Sequence, residues 1–275
     1  MPVIVTRPAT EARKWLDGLR HAGFDARALP LIAIAPAPDP AVVRAAWEHI
    51  GSFDAVMFVS ANAVAQFFAL KPTQSTVFRA DKAIKTRAFV TGPGSLSALQ
   101  RVSVDARYID APDPDSGQFD SEALWVVVAH QVQPGFRLLV VRGTHARTPA
   151  ENTAEDGVGI DVDIGVGRDW FAEQVRAAGG EVEFVVAYQR TLPLLTDQDL
   201  ALAQQAAVDG SVWLFSSSEA IDNLMHICPN QSWIQAKALV THPRIARTAR
   251  EAGFAVVLES RPTLASLMAS IESLQ

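Results

Sequence analysis

The sequence of 275 residues predicts an α/β fold with parallel sheets, divided into more than one domain. Short β-branched runs alternate with helical patterns, which favours parallel sheets covered by helices on both faces. The second half of the chain repeats the first, and the length exceeds the roughly 100 to 200 residues usual for one domain. Hydrophobic residues make up 49% of the chain, so two apolar cores can form without disulfides or metals.

The predicted strands are short apolar runs bounded by turn-forming residues. In chain order they are Val3 to Val5, Ala28 to Ala35, Ala55 to Val59, Ala88 to Thr91, Leu138 to Val141, Val182 to Thr191, Val212 to Phe215, Ala238 to Thr241 and Ala255 to Leu258. Helices are predicted where apolar residues recur at helical spacing. These segments are Ala12 to His21, Ala63 to Ala69, Ser121 to His130, Phe171 to Ala178, Ala220 to Ile227 and Ile245 to Ala252.

An internal repeat relates the two halves of the chain, because three segments of the first half return in the same order. The pairs are VIVTRP at 3–8 with LLVVRG at 138–143, FVSANAV at 58–64 with FSSSEAI at 215–221, and VTGP at 90–93 with VTHP at 240–243. Arg7 and Arg142 therefore end equivalent predicted strands. The second copy is longer after Gly143, where a stretch rich in Thr, Gly, Ala and Asp intervenes. We expect an inserted surface loop at 144–166.

Two apolar, strand-like stretches at 28–36 and 184–191 are each accompanied or followed by prolines, which interrupt regular structure. We interpret them as linker strands at which the chain crosses between domains, paired in a two-stranded β-ladder. The predicted domains are 1–34 plus 192–275 for the first, which is discontinuous, and 37–183 for the second.

Composition excludes several classes of function. The net charge is -6 and the sequence has no run of Lys or Arg, so we expect no nucleic-acid partner. The longest apolar stretches, such as 124–129, are far shorter than the roughly 18 residues that cross a bilayer, and we expect MPVIVTRP to begin a strand and not a signal peptide. Cys228 is the single cysteine and cannot form an internal disulfide. We expect a cytoplasmic protein that does not bind membranes.

An ordered series of motifs runs along nearly the whole chain. The motifs are TRP at 6–8, PLIAI at 30–34, FDAVMFVSANAV at 53–64, VTGPGSLSAL at 90–99, FDSEALW at 119–125, VVRG at 140–143, GR at 167–168, VVAYQRT at 185–191, LFSSSEAIDNL at 214–224 and VTHPRIARTAREAGF at 240–254. No single motif is decisive, but the ordered set resembles the uroporphyrinogen-III synthase (HemD) family.

The resemblance implies two flavodoxin-like or HemD-like α/β domains joined by a two-stranded β-ladder, with an active site in the cleft between them. It implies a hydro-lyase that closes hydroxymethylbilane to uroporphyrinogen III with inversion of ring D, in tetrapyrrole and haem biosynthesis. No metal or organic cofactor is implied. We expect a monomer, with transient contact to the preceding enzyme of the pathway left open. The chain departs from the family where the 144–166 insertion separates Arg142 from Arg168, and where Ser95 replaces a frequent threonine.

The candidate substrate-binding residues follow predicted strands, where helix N-termini supply free N–H groups and partial positive charge. They are Thr6, Arg7, Ser60, Asn62, Gly92, Ser95, Arg142, Ser216, Ser217, His242 and Arg244. Arg7 and Arg142 could bind carboxylates bidentately, although a strand-end arginine is often an ion-pair partner. The small polar residues could equally be ordinary helix N-caps, and a lone histidine in a loop is often only solvated.

Tyr188 is the candidate catalytic residue, because it resembles the cleft tyrosine of the family and lies on the second predicted linker strand. Its hydroxyl could protonate the departing hydroxyl group of the bilane. The structural alternative is a tyrosine that only packs the ladder.

Two other classes of function stay open at this stage. A dinucleotide enzyme would use Gly92 and Gly94, but Ser97 stands where the third glycine of that fingerprint belongs. A non-enzymatic two-domain protein that binds a small ligand would share the cleft and would not need Tyr188. Formation of product from hydroxymethylbilane separates that protein from the enzyme.

Overall fold

The computed structural model describes residues 1–73, 85–113, 118–145 and 166–274, with 166–168 described by their backbone alone. The described chain forms two compact units. Unit 1 consists of Met1–Ala33 and Thr191–Gln275, and unit 2 consists of Ile34–Arg190. Most of the predicted loop at 144–166 lies outside the described residues, and its first and last residues belong to regular elements.

Strands and helices alternate along the chain. The strands are β1 Val3–Val5, β2 Ala26–Ala28, β3 Ala33–Pro36, β4 Ala55–Phe58, β5 Arg87–Val90, β6 Ile109–Asp110, β7 Arg137–His145, β8 Glu181–Thr191, β9 Val212–Phe215, β10 Lys237–Val240 and β11 Val256–Glu259. The helices are α1 Ala9–His21, α2 Pro40–Glu48, α3 Ala61–Ala69, α4 Pro93–Arg101, α5 Ser121–Val128, α6 Val166–Ala177, α7 Asp197–Val208, α8 Ser218–Ile227, α9 Pro243–Glu251 and α10 Leu264–Glu272. None of these helices is long and apolar enough to span a bilayer.

The described residues of each unit form one sheet. Unit 1 has the strand order β11-β10-β9-β1-β2, and every pair in it is parallel. The sheet of unit 2 has the order β3-β8-β7-β4-β5-β6, and its pairs from β8 to β6 are parallel. These sheets and their helices confirm the predicted α/β class with parallel sheets.

The internal repeat reappears as equivalent strand orders. Read from the same end, β11-β10-β9-β1-β2 of unit 1 corresponds to β6-β5-β4-β7-β8 of unit 2. The register is also equivalent, because Val5 lies opposite Leu214 in one sheet and Val140 lies opposite Met57 in the other. Similar apolar runs followed by similar helix starts thus produce the same local arrangement twice.

The predicted strand at 28–35 is wrong in one respect, because the structure divides it into β2 and β3. Pro30 has no N–H group to donate to a ladder, and the chain leaves β2 there. The N–H groups of Leu29 and Leu31 instead donate to the carbonyls of Val5 and Thr6, at 3.0 and 3.1 Å.

The stretch at 184–191, interpreted from sequence as a linker strand, belongs to the 11-residue strand β8. β8 pairs with β7 from Arg137 to His145 and lies between β3 and β7 in the six-stranded sheet. Both ends of the predicted 144–166 loop are regular structure. Thr144 and His145 belong to β7, and Val166 begins α6. The observed strand boundaries differ from the predicted ones because pairing with a neighbouring strand, which the sequence does not show, continues beyond the apolar residues.

Alternation along β7 gives the sheet of unit 2 two apolar faces. Leu139 and Val141 pack in a cluster with Trp47 and Phe67, whose rings stack at 4.5 Å. Leu138 and Val140 belong to a second cluster with Phe89, Phe136 and Phe171. Burial of one such phenylalanine contributes about 1.5 to 3 kcal/mol, so both faces hold the central strands in place. The residues at the end of β7 and β8 are therefore positioned by a rigid sheet.

Candidate functional site

Four predicted residues begin helices at the carboxyl edge of a sheet. Parallel strands end at the same edge, and in each unit two of them lead into a helix whose N-cap is a predicted residue. The N-caps are Ser60 of α3 and Gly92 of α4 in unit 2, and Ser217 of α8 and His242 of α9 in unit 1. The first turns of these helices leave N–H groups and partial positive charge at the edge, which suits a carboxylate ligand.

The two equivalent serines differ in their hydrogen bonds. The Ser60 hydroxyl accepts a hydrogen bond from the Ala63 N–H at 3.1 Å and so caps α3. Ser217, at the same place in the other copy, makes no side-chain cap bond within the described structure and is half-buried. The Ser217 hydroxyl is therefore not used to hold the helix that it begins.

The other two N-caps also differ. His242 is exposed, and its Nδ1 accepts a hydrogen bond from the Arg244 N–H at 3.1 Å. Acceptance at Nδ1 requires a neutral ring with its proton on Nε2. Gly92 has no side chain with which to cap α4, and Ser95 of that helix is buried at 6% exposure.

Tyr188 is buried on β8, with 3% of its surface exposed, and its ring packs in the cluster that contains Trp47. Its hydroxyl lies 3.1 Å from Ser60 Oγ, and either oxygen can donate. Since Ser60 also accepts from the Ala63 N–H, one serine links the tyrosine to the start of α3. The ring therefore has the packing role of the structural alternative, and the hydroxyl is held at a helix N-terminus.

Gly143 makes room for the Tyr188 ring. The two residues lie opposite each other in the ladder of β7 and β8, directly after a β-bulge between Arg142 and Gly143. A Cβ atom at position 143 would lie 2.5 and 2.7 Å from two ring carbons of Tyr188, closer than real side chains approach. The glycine of the VVRG motif is thus required by the tyrosine across the ladder.

Arg142 lies on the other face of the same sheet. Its guanidinium carbon is 4.3 Å from the centre of the Phe184 ring, which packs against the cluster of Phe89 and Phe171. Cation–π contact of this kind stabilises a half-buried arginine. The structure therefore does not bring Arg142 and Tyr188 together, and the side chain of Arg168 lies outside the described side chains.

In unit 1, Arg7 lines a small cleft at the carboxyl ends of β1, β9 and β10. The guanidinium carbon lies 4.6 Å from the centre of the Trp15 ring, and Nη1 lies 3.5 Å from Glu11 Oε2. Burial lowers the pKa of Arg7, and the Glu11 carboxylate partly offsets this shift. The cleft, to which Ser216 also contributes, has room for about one water-sized molecule.

Besides Ser95, two more predicted binding residues are buried. Thr6 is 1% exposed, and its hydroxyl donates to the Leu214 carbonyl at 2.6 Å, so it joins β1 to β9. This bond gives Thr6 a structural role. Asn62 is 9% exposed in the first turn of α3, directly after the Ser60 cap and one alanine.

The sequence reasoning missed two side chains near Tyr188. His145 ends β7 and Arg190 is the last residue but one of β8, and Arg190 Nη2 lies 2.9 Å from His145 Nε2. Arg190 stands two residues after Tyr188 in the VVAYQRT motif, and strand alternation could have placed it on the same face. His145 had no such signal, because it fell within the predicted loop.

The described residues contain no cluster of three or more His, Cys, Asp or Glu side chains that could hold a metal ion. Cys228 is half-buried, and burial raises the pKa of its thiol, which disfavours the reactive thiolate. The described edges offer hydroxyls, guanidinium groups, the imidazoles of His145 and His242, and backbone N–H groups.

Comparison with known families identifies the group that shares this architecture. The family model described as HEM4, uroporphyrinogen-III synthase HemD, matches residues 13–163 and 164–269. The chain belongs to the uroporphyrinogen-III synthase HemD family. The family predicted from the ordered motifs is thereby confirmed.

Relatives of the HemD family resemble the chain over almost its whole length. The uroporphyrinogen-III synthase of Escherichia coli (strain K12) is 25% identical over 258 residues, which cover 92% of each chain. The synthase structure from Helicobacter pylori 26695 covers 100% of both chains with a TM-score of 0.56 and 16% identity. A mutant synthase from Thermus thermophilus has a TM-score of 0.50 and 12% identity, over 100% of this chain and 98% of that one. At these identities the two structures support the fold alone.

Membership of the HemD family makes the chain a lyase of haem biosynthesis that acts on a small tetrapyrrole.

Proposed function

We propose that the chain closes hydroxymethylbilane, a linear tetrapyrrole, to uroporphyrinogen III with inversion of ring D and loss of water. The observation that carries the proposal is the match of the synthase family to 13–163 and 164–269, which together span most of the chain. The fold supports it, since both sheets present helix N-termini at their carboxyl edges, where a polycarboxylate can bind.

The reaction begins when the hydroxymethyl group of the first ring is protonated and leaves as water. The pyrrole nitrogen supplies the electron pair, and the product is an electrophilic azafulvene. The substituted carbon of ring D attacks it to form a spiro intermediate, which fragments and recloses with ring D inverted. The protein must hold the two ends of a flexible chain together, and such proximity effects can reach about 7 to 11 kcal/mol.

Tyr188 is the proposed proton donor to the departing hydroxyl. The Ser60 hydroxyl accepts a hydrogen bond from the Ala63 N–H and can donate its own hydrogen to the Tyr188 oxygen. In that arrangement the tyrosine O–H points away from Ser60 and can donate to the substrate. The serine then stabilises the phenolate oxygen once the proton has left.

The carboxylates of the bilane are proposed to bind at the carboxyl edges of the two sheets. The proposed binding residues are Arg7, Ser60, Asn62, Gly92, Ser95, Ser216, Ser217, His242 and Arg244. Thr6 is omitted because its hydroxyl donates to the Leu214 carbonyl, and Arg142 is omitted because it stacks on Phe184 across the sheet from Tyr188.

We also propose a cytoplasmic monomer that works without a metal or organic cofactor and contacts the preceding pathway enzyme transiently. The single Cys228, a half-buried thiol, suits a reducing compartment. Light scattering during size-exclusion chromatography tests the monomer, and a dimer mass that persists on dilution contradicts it.

Incubation of the purified chain with freshly prepared hydroxymethylbilane tests the function. We expect uroporphyrinogen III, identified as the porphyrin isomer after oxidation, and unchanged turnover in the presence of a chelator. Heat-denatured protein is the control, because the bilane closes spontaneously to the uninverted isomer I. Isomer I alone in both samples would refute the enzyme, and tight binding of the bilane without turnover would favour a non-enzymatic binding protein.

A further inference from the structure

A row of polar side chains lies on one face of the sheet of unit 1, at the carboxyl ends of three neighbouring strands. Val5, Leu214 and Leu239 lie side by side in the registers of β1, β9 and β10, and all three belong to one apolar cluster. A side chain two positions further along a strand returns to the same face. That spacing places three polar residues at the end of this face, namely Arg7, Ser216 and Thr241.

The three polar residues line the small cleft at the ends of these strands, together with Trp15 of α1. The Ser216 and Thr241 side chains are half-buried, and neither hydroxyl has a hydrogen-bond partner in the described part of the chain. They differ in this from Thr6, whose hydroxyl joins two strands through the Leu214 carbonyl. Both hydroxyls can therefore donate to a ligand in the cleft.

The charge of Arg7 is only partly compensated within the protein. Its side chain is 21% exposed, and the guanidinium stacks on Trp15. Across the described ranges its one hydrogen bond joins Nη1 to Glu11 Oε2 at 3.5 Å, which is long for such a bond. Burial lowers the pKa of Arg7 despite this carboxylate, so withdrawal from water costs the charge more than Glu11 offsets. A ligand carboxylate can supply further compensation.

The size and walls of the cleft limit what can enter it. It has room for about one water-sized molecule, so it admits the end of a side chain and not a pyrrole ring. Beneath the polar row its walls are apolar, and an ion pair is screened less there than in open water. These properties suit the carboxylate of an acetate or propionate group, whose carbon chain can lie against the apolar wall.

We propose that Arg7, Ser216 and Thr241 form a carboxylate subsite in unit 1. Thr241 is a specificity-determining residue of this subsite, and Glu11 competes with the ligand for Arg7. This inference rests on the proposed function, and it adds Thr241 and Glu11, neither of which the sequence reasoning identified. An arginine that only anchors the first turn of α1 through Glu11 would leave ligand affinity independent of Thr241.

The internal repeat supplies a matched control for Thr241. Met57 lies opposite Val140 and Phe89 in the sheet of unit 2, and the same spacing of two residues gives an equivalent row there. That row consists of Arg142, Val59 and Thr91. Thr91 is half-buried like Thr241, but valine replaces the neighbouring serine. Thr91→Val therefore repeats the substitution of Thr241→Val in a row that lacks the serine hydroxyl.

The test measures the binding of uroporphyrin III, the oxidised and fluorescent polycarboxylate product, by fluorescence titration. It also measures KM and kcat for hydroxymethylbilane and the melting temperature of each variant. Thr241→Val removes the hydroxyl and keeps the shape of the side chain. Arg7→Gln removes the charge, and Glu11→Gln removes the competing carboxylate.

Loss of a charge-assisted hydrogen bond predicts a Kd about 10- to 100-fold higher for Arg7→Gln, and loss of a hydroxyl donor predicts a Kd about 3- to 10-fold higher for Thr241→Val. Thr91→Val should keep the wild-type Kd. Glu11→Gln should bind about 2- to 5-fold more tightly, because the ligand no longer competes with a carboxylate for Arg7. KM should change in the same directions, while kcat changes less.

An unchanged Kd in Thr241→Val, or an equal rise in Thr91→Val, overturns the inference. A lower melting temperature in Glu11→Gln without tighter binding identifies a pair that only anchors α1, and it likewise overturns the inference. So does a wild-type chain that binds no uroporphyrin. If Arg7→Gln does not fold, the Thr241→Val and Glu11→Gln titrations decide by themselves. If wild-type protein binds uroporphyrin through this cleft but forms no uroporphyrinogen III, the proposed function fails and the carboxylate subsite stands.

Discussion

Tyr188→Phe and Ser60→Ala both remove the hydrogen bond between the two side chains, but only the first removes the phenol hydroxyl. The bond is 3.1 Å long and partly buried. In Tyr188→Phe the ring stays against Gly143 and in its apolar cluster. In Ser60→Ala the ring and its hydroxyl both stay, and α3 loses its N-cap.

The structure therefore predicts that Ser60→Ala loses more stability than Tyr188→Phe, whereas Tyr188→Phe loses more turnover. Because it loses one hydrogen bond, Tyr188→Phe should have a free energy of unfolding lower by about 1 kcal/mol and a melting temperature lower by about 2 to 4 °C. Ser60→Ala should cost more, because loss of an N-cap adds about 0.5 to 2 kcal/mol. If the phenol is the general acid, Tyr188→Phe should lose on the order of 10- to 1000-fold in turnover, and Ser60→Ala should lose less.

Thermal melts, single-substrate kinetics and the ratio of isomers III and I give the three readouts. Slow enzymatic closure lets the spontaneous reaction compete, so Tyr188→Phe should shift the product towards isomer I. Equal losses of turnover in the two variants would mean that the bond positions the ring and that the hydroxyl has no acid role. Unchanged turnover and pure isomer III from Tyr188→Phe would refute the catalytic assignment.

Three further predictions follow from hydrogen bonds and burial. Ser60→Ala should lower the melting temperature more than Ser217→Ala, because only Ser60 makes a side-chain cap bond; equal shifts would contradict this. Partial withdrawal from water and the neighbouring carboxylates of Glu219 and Glu251 raise the pKa of the exposed Asp222, so its ionisation costs stability as pH rises above the unfolded pKa. Asp222→Asn should therefore raise the melting temperature at neutral pH, with a smaller gain in acid, and a gain independent of pH would refute the cause. Trp213→Phe should lower the free energy of unfolding, measured by urea denaturation, by about 1 kcal/mol more than Trp233→Phe does. The reason is that the Trp213 indole donates to a carbonyl of α7 at 3.1 Å, whereas the buried Trp233 indole N–H has no partner among the described residues; an equal cost would count against it.

The sequence predicted the strands well where apolar runs were short and bounded. The prediction for β9 matches the structure residue for residue, and the predicted helix at 12–21 lies within α1. The sequence reasoning did not predict α7, although Thr196 and Asp199 form a capping box that marks its start. It also did not predict α2, because the prolines before it were interpreted as a linker and one of them is in fact the first helical residue.

The site was predictable where a residue type has a local cause. Ser60 and His242 could be placed at helix starts because a small or polar residue after a strand is a typical N-cap. The link from Ser60 to Tyr188 could not be predicted, since the two residues are 128 positions apart and meet only through the packing of α3 against the sheet. The contact of His145 with Arg190 depends in the same way on the register of β7 and β8.

By itself the sequence determined the α/β class, the internal repeat and the family, because periodicity and motif order are properties of the chain read locally. Only the tertiary structure decided which side chains share a face. An extra residue in β8, Ala187, places the Tyr188 ring over Gly143, while Arg142 stacks on Phe184 on the opposite face. One extra residue in a strand reverses the faces of all that follow, and no local pattern in the sequence records that shift.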